Sequence, residues 1–237
     1  MVSACLDSEP RGPRALLVDG EAGIGKSTVW FEAVRLAEAR GYRVLRARPA
    51  ESEAKLSYAT LADLVGLVFD EARAQLPHPQ ELALAAALLR VTSHEPADPR
   101  TVATAVVGVL TELVREQPVL VAIDDVQWVD LASRRALEFA ARRLPAQLRL
   151  CVTRRSEGAV DVPLELDRAA SGHRRRAAAS CMVAASSPRW TGSSTVLWPV
   201  TRDGRAVCRV RGDVLFLRAS VPRAVREIPR YRLRHLS

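Results

Sequence analysis

Residues 14–28 read RALLVDGEAGIGKST, and residues 118–125 read PVLVAIDD. In the first stretch a short apolar run, Arg14–Asp19, feeds directly into a glycine-rich turn. Beyond the turn Val29, Ala33, Leu36 and Ala37 recur at helical spacing. The order is strand, tight turn, helix. Gly41 is placed to end that helix, and Tyr42–Ala47 alternates as a second strand. Helical patterns follow over Ala59–Ala74, Pro79–Leu89 and Thr101–Glu116, punctuated by Pro77, Pro79, Pro96 and Pro99. Pro118 opens Val119–Ile123, which is apolar on both faces, as a parallel strand covered by helices on each side must be. Leu131–Leu144 then reads as a helix and Leu148–Thr153 as a strand. Strands alternating with helices predict an α/β fold on a parallel sheet.

The chain of 237 residues is 48% hydrophobic and 26% charged, a balance that excludes wholesale disorder, collagen and coiled coil. The longest apolar stretches, Val102–Leu110 and Val119–Ile123, fall well short of the ~20 residues of a membrane span. Acidic residues and prolines in MVSACLDSEPRGPR stand where a signal peptide needs an apolar core. The expectation is a soluble, cytoplasmic protein with no membrane contact.

The net charge of +8 is unevenly spread. Residues 1–168 carry 21 basic and 24 acidic side chains, whereas residues 169–237 carry 14 and 3. The first part is therefore mildly acidic and does not suit specific nucleic-acid binding. The second part has no sustained period of 3.6 or 2, and only Ala206–Leu217 offers a weak strand pattern. Three segments follow: an N-terminal extension over 1–13, a core over 14–168, and an Arg-rich, poorly ordered tail over 169–237. Cys5, Cys151, Cys181 and Cys208 form no CxxC pair and read as free thiols, Cys151 as a small buried hydrophobe. The four histidines, His78, His94, His173 and His235, have no partner spacing and take no role.

Gly20-Glu21-Ala22-Gly23-Ile24-Gly25-Lys26-Ser27 matches G-x-x-x-x-G-K-[ST], the phosphate-binding P-loop, with the strand before it and helix after it that the motif requires. Its glycines let backbone N–H groups turn inward around phosphates. Lys26 supplies a positive charge to the β- and γ-phosphates, the Ser27 hydroxyl a ligand to Mg²⁺, and the helix its positive end. Asp124 and Asp125 end an apolar strand, where open α/β sheets bind ligands. Asp124 reads as the carboxylate that holds Mg²⁺ through its water shell, and Asp125 as the group that orients or deprotonates an attacking water. Thr153-Arg154-Arg155 follows the next strand, and Arg154 is the stronger candidate to contact the γ-phosphate. Trp128 reads as packing beneath the site.

GEAGIGKST, LVAIDDVQWVDLASRRALEFAARRL, LRLCVTRR and KLSYATLADLVGLV together resemble the N-terminal ATPase module of large ATP-binding LuxR-type transcriptional regulators. These are signal-transducing P-loop ATPases of the STAND class, related to AAA+ proteins. The resemblance covers about residues 12–172. It implies a P-loop NTPase three-layer sandwich with ATP and Mg²⁺ as ligands. By position, Gly20–Thr28 are the phosphate loop, Ser27 and Asp124 the metal ligands, Asp125 the catalytic acid and Arg154 the sensor-like residue. The family continues through a fifth core strand, a lid, helical repeats and a DNA-binding helix-turn-helix, and none of these is recognisable here. Arginine outnumbers lysine 33 to 2, as in a GC-rich gene, and the aperiodic tail suits such a gene read out of frame. The expectation is a frameshift or truncation near Gly172–Arg176, leaving the sheet incomplete at its C-terminal end.

The reading that results is an ATP-binding, weakly hydrolysing switch module, with self-association or a regulatory protein as the partners open to it. The alternative is a stand-alone P-loop ATPase or phosphotransferase using Asp125 as base. A DNA-binding regulator acting through the basic tail is the weakest reading, since such a tail offers only salt-dependent binding without sequence preference.

Overall fold

Val119–Ile123 is apolar at every position, and in a computed structural model of the chain all five side chains are buried. The structure describes residues 2–6, 15–92, 96–143, 145, 147–155, 164, 205–211 and 214–220. Beyond Leu164, Leu217 is the one residue whose side chain is described. The proposed frameshift near Gly172–Arg176, His94, His173, His235, Cys181 and the remainder of the tail lie outside the described residues, as do residues 7–14.

Four strands build the parallel core: β1 (Ala15–Gly20), β2 (Arg43–Ala47), β3 (Val119–Ile123) and β4 (Leu148–Arg155). They lie in the order β2-β3-β4-β1, each paired in parallel with its neighbour. Because successive strand side chains point to opposite faces, the sheet has two apolar sides. Leu16, Val18, Leu120, Ala122 and Cys151 face α1 (Val2–Leu6) and α2 (Lys26–Glu38), with Trp30, Ala33 and Ala37 of α2 fully buried against them. Leu17, Val119, Val121, Ile123, Leu148 and Val152 face the other side. That side is covered by α3 (Ala59–Val65), α4 (Phe69–Ala72), α5 (His78–Ala87), α6 (Pro99–Glu116) and α7 (Leu131–Ala141). The fold is the expected α/β layering of a P-loop NTPase. Burial pushes the Cys5 thiol up to about 11 and the Cys151 thiol higher still, so both behave as small apolar side chains.

Three local expectations need correction. Ala59–Ala74 is not one helix: it divides into α3 and α4 at Gly66, where the weak helix propensity of glycine allows the break. Residues 2–6, assigned to an N-terminal extension, form a helix whose Val2, Cys5 and Leu6 are buried in the core. Tyr42 Oη donates to the Leu6 carbonyl at 2.7 Å and Arg149 Nε to the Cys5 carbonyl at 3.0 Å, which pins this helix to β4 and to the residue just before β2. Finally, the tail contributes two strands, β5 (Arg205–Arg211) and β6 (Val214–Ser220). β6 joins β1 in parallel on the side opposite β4, and β5 is an antiparallel edge strand, giving six strands in the order β2-β3-β4-β1-β6-β5. The apolar run VLFL in β6 suits a central strand, and the edge strand β5 carries Arg205, Arg209 and Arg211 in its sequence. Register pairs Arg211 with Val214, so two residues connect the strands, too short a unit to stand out in a periodicity reading.

Asp130 joins the two halves of the helical layer. It is the N-cap of α7, accepting the Ser133 N–H at 2.8 Å. The same carboxylate accepts the N–H groups of Tyr58 at 2.9 Å and Thr60 at 3.1 Å, and Ser133 Oγ accepts that of Leu61 at 3.0 Å. One carboxylate thus caps α7 and the start of α3, 70 residues away in sequence. Burial works against its ionisation, yet the donors of Ser133, Thr60 and Tyr58 outweigh burial and hold the carboxyl below the ordinary 3.8. Such a depressed group stabilises the fold above that ordinary value and loses its contribution as pH falls through the folded-state value. Asp130→Ala should cost about 2–4 kcal/mol at pH 7 in urea unfolding, because two buried N–H groups and one part-buried N–H group lose their acceptor. The difference from wild type should shrink as pH is lowered below 3.8. A loss under about 0.5 kcal/mol, the scale of an exposed surface change, would contradict this assignment.

Candidate functional site

The sheet's C-terminal edge carries the site. β1 ends at Gly20 and the chain turns through Glu21–Gly25 before α2 begins at Lys26. Gly23 and Gly25 have φ of 77° and 95°. A Cβ on Gly23 would meet nothing within 4 Å, so backbone conformation, and not space, is what demands glycine there. Gly25 caps α2 without a side-chain acceptor, leaving the first N–H groups of a 13-residue helix directed at the loop. Lys26 is buried to 6% exposure and its Nζ donates to the Glu21 carbonyl at 2.9 Å, closing the loop on itself. Burial lowers its affinity for the proton, Asp125 opposes that, Arg155 adds to it, and Asp124 and Asp19 oppose it; the net direction is downward. Ser27 follows half-buried in the first turn of α2, and Thr28 is exposed.

Asp124 and Asp125 follow β3, the first buried and the second half-buried. The Asp124 N–H donates to the Ala47 carbonyl at 3.0 Å, extending the β2–β3 ladder one step. Asp125 takes left-handed backbone angles, φ 53° and ψ 55°, which turn the chain sharply into a single 3-10 turn, Val126–Trp128. Thr153, fully buried near the end of β4, holds the two residues together. Its hydroxyl donates to Asp124 Oδ1 at 2.6 Å and accepts the Asp125 N–H at 2.8 Å. Gln127 Oε1 accepts the Arg155 N–H at 3.2 Å, while Gln127 Nε2 is buried without a hydrogen-bond partner among the described residues. Trp128 is half-buried beside it.

Strand alternation separates the two arginines that sequence alone left adjacent. Arg154 pairs with Asp19 on the side of α6 and α7, through Nη2–Oδ2 at 3.1 Å and Nε–Oδ1 at 3.4 Å, with both side chains largely buried. Arg155 lies on the α2 side with Thr153, its Nη2 3.4 Å from Asp125 Oδ2. The structure brings Gly20–Thr28, Asp124 and Asp125 together at one edge and pairs Arg154, the stronger of the two arginine candidates, with Asp19. Arg155 was the weaker candidate, and Thr153 had been given no role. The signal for both was the period of two: they share parity with Cys151 on the α2 face.

A buried carboxylate, a hydroxyl, a buried ammonium and a glycine-rich loop running into a helix N-terminus at a parallel sheet edge define a P-loop nucleotide-binding protein, and that donor set fits a magnesium–triphosphate. The family model of the AAA ATPase domain matches residues 1–153, and the chain belongs to that family. No curated protein matches the chain. Among solved structures, the E. coli MS115-1 HORMA:CdnC:Trip13 complex contains a similar chain, at 13% identity and a TM-score of 0.33, over 64% of this chain and 45% of that one. The matched region thus spans less than half the length of that chain.

Thr153→Val removes a hydroxyl of similar shape and leaves Asp124 Oδ1 and the Asp125 N–H without their partner. It should lower unfolding stability by about 1–3 kcal/mol, whereas Thr153→Ser should restore most of the loss. Chemical denaturation of both variants tests this; a Val variant as stable as wild type would show that the hydroxyl does not hold the two aspartates.

Proposed function

We propose that the chain is the ATP-binding switch module of a LuxR-type transcriptional regulator, hydrolysing ATP slowly in the cytoplasm. The observation that carries the nucleotide part is the convergence of Lys26, Ser27, Asp124, Asp125 and Thr153 at one sheet edge, from β1, β3 and β4. The regulator part rests on the sequence of the second element, DDVQWVD with LRLCVTRR after it, which resembles that class. Self-association or a regulatory protein partner is the interaction such a module would use, and the acidic first part of the chain gives no reason to expect specific nucleic-acid binding by it.

In this reading Gly20–Thr28 wrap the phosphates, the helix end and Lys26 meeting their charge. Ser27 and Asp124 hold Mg²⁺, which supplies charge neutralisation at the β- and γ-oxygens when bound. Asp125 orients the attacking water. The sensor role that sequence gave to Arg154 passes to Arg155, because Arg155 pairs with Asp125 while Arg154 pairs with Asp19.

Replacing Lys26 with Ala removes the buried ammonium and leaves the backbone cradle. Titration with a fluorescent ATP analogue should show at least a tenfold loss of affinity, on the scale of about 1.4 kcal/mol or more for a charge-assisted contact. Equal affinity in both proteins would remove the P-loop assignment.

Turnover should be slow. Asp125 shares its carboxylate with Arg155, and that ion pair must open or be shared before Asp125 can take a proton from water. Multiple-turnover phosphate release should run well below the ~10 s⁻¹ typical of enzymes. Asp125→Asn should reduce release by about 10²-fold with little change in ATP binding. Brisk release from wild type would favour a stand-alone ATPase.

A further inference from the structure

Arg48 is the first residue after β2, and its guanidinium stands beside Asp124. The register decides this: the Ala47 carbonyl accepts the Asp124 N–H, so Arg48 and Asp124 leave the sheet side by side. Arg48 Nε lies 3.4 Å from Asp124 Oδ2, while Thr153 is bonded to the other oxygen, Oδ1. The Arg48 guanidinium carbon also lies 5.1 Å from the Phe31 ring centroid and 5.9 Å from that of Trp30. Those two rings are set edge to face at 5.1 Å, one turn beyond Lys26 and Ser27 on α2. Trp30 is buried and Phe31 half exposed, so the pair forms a fixed platform at the rim of the site.

We propose that Arg48 is a positioning residue that competes with magnesium for Asp124 and so sets the magnesium concentration at which the site holds nucleotide. The inference rests on the nucleotide-binding reading above. Thr153 is bonded to Oδ1, so Oδ2 is the oxygen left for a hydrated divalent cation, and Arg48 Nε stands 3.4 Å from it. The guanidinium and a metal ion compete for the same carboxylate oxygen, so occupancy is decided by competition between cations. The aromatic platform gives the displaced guanidinium a second place to rest, since a ring face attracts a cation. Arg48 therefore stays within reach of Asp124 and returns when the metal leaves. A site built this way resists magnesium without nucleotide and admits it when phosphate oxygens add their charge.

The test follows binding of a fluorescent ATP analogue against magnesium concentration for wild type, Arg48→Gln and Arg46→Gln. Arg46 is exposed, lies two residues earlier on β2, and has no ion pair to Asp124 among the described residues, so its replacement removes equal charge without this contact. The Arg48 side chain is 58% exposed, so its replacement leaves the core intact. Arg48→Gln should reach half-saturation at roughly fivefold lower magnesium, the scale of a partly exposed ion pair, and Arg46→Gln should match wild type. An unchanged magnesium requirement in Arg48→Gln overturns the proposal, as does an equal shift in both variants. Weaker analogue binding by Arg48→Gln in EDTA also overturns it, making Arg48 a phosphate ligand instead. A wild type that binds no analogue at any magnesium concentration overturns the nucleotide-binding reading itself, whereas magnesium-dependent binding with no Arg48 effect leaves that reading standing.

Discussion

The hydroxyl of Thr153 is the interaction on which the site depends. It is a donor to Asp124 and an acceptor from the Asp125 backbone, and Thr153 is fully buried. A buried carboxylate without such a donor would cost several kcal/mol in desolvation. A backbone N–H at a left-handed residue would likewise be left without a partner. By satisfying both, Thr153 lets an acidic pair end an apolar strand and turn outward. The Asp125 turn then carries the chain into Val126–Trp128 and on to Asp130.

Asp130 continues the same logic at longer range. Its carboxylate ends the turn that began at Asp125 and caps α3, so the segment following β2 is tied to the segment following β3. Arg48 lies on one of these segments and Asp124 begins the other. The arrangement makes the sheet edge one connected unit: loop, acidic pair, capped helices and the Arg48 guanidinium share neighbours. Electrostatics in that unit is balanced by close pairs, Arg48 with Asp124, Arg155 with Asp125 and Arg154 with Asp19, around a lysine whose burial lowers its proton affinity.

Much of this was legible in the sequence because it is local. GEAGIGKST dictates its own turn, and the glycines at 23 and 25 are where φ is positive. Val119–Ile123 is apolar on both faces and is buried on both. What was not legible depends on partners far away in sequence. Arg154 and Arg155 are equivalent on paper, and only the pairing of β4 with β1 sets Arg154 on Asp19. Thr153 reads as an ordinary strand residue until the β3–β4 register carries it to Asp124. Arg48 reads as one arginine among 33, and needs both the β2–β3 ladder and the α2 platform to acquire a place. β5 and β6 were obscured by an arginine-rich background in which two short strands leave little periodic signal.

The central claim is that one sheet edge binds a nucleoside triphosphate through the loop's backbone. Hydrogen exchange measured by mass spectrometry, with and without magnesium–ATP, tests it most directly. Amides of residues 21–28 and 124–125 should gain protection together on adding nucleotide, because they line the same edge. The outer faces of α5 and α6 should exchange as before. Protection confined to another part of the chain, or none at saturating ATP, would contradict the account.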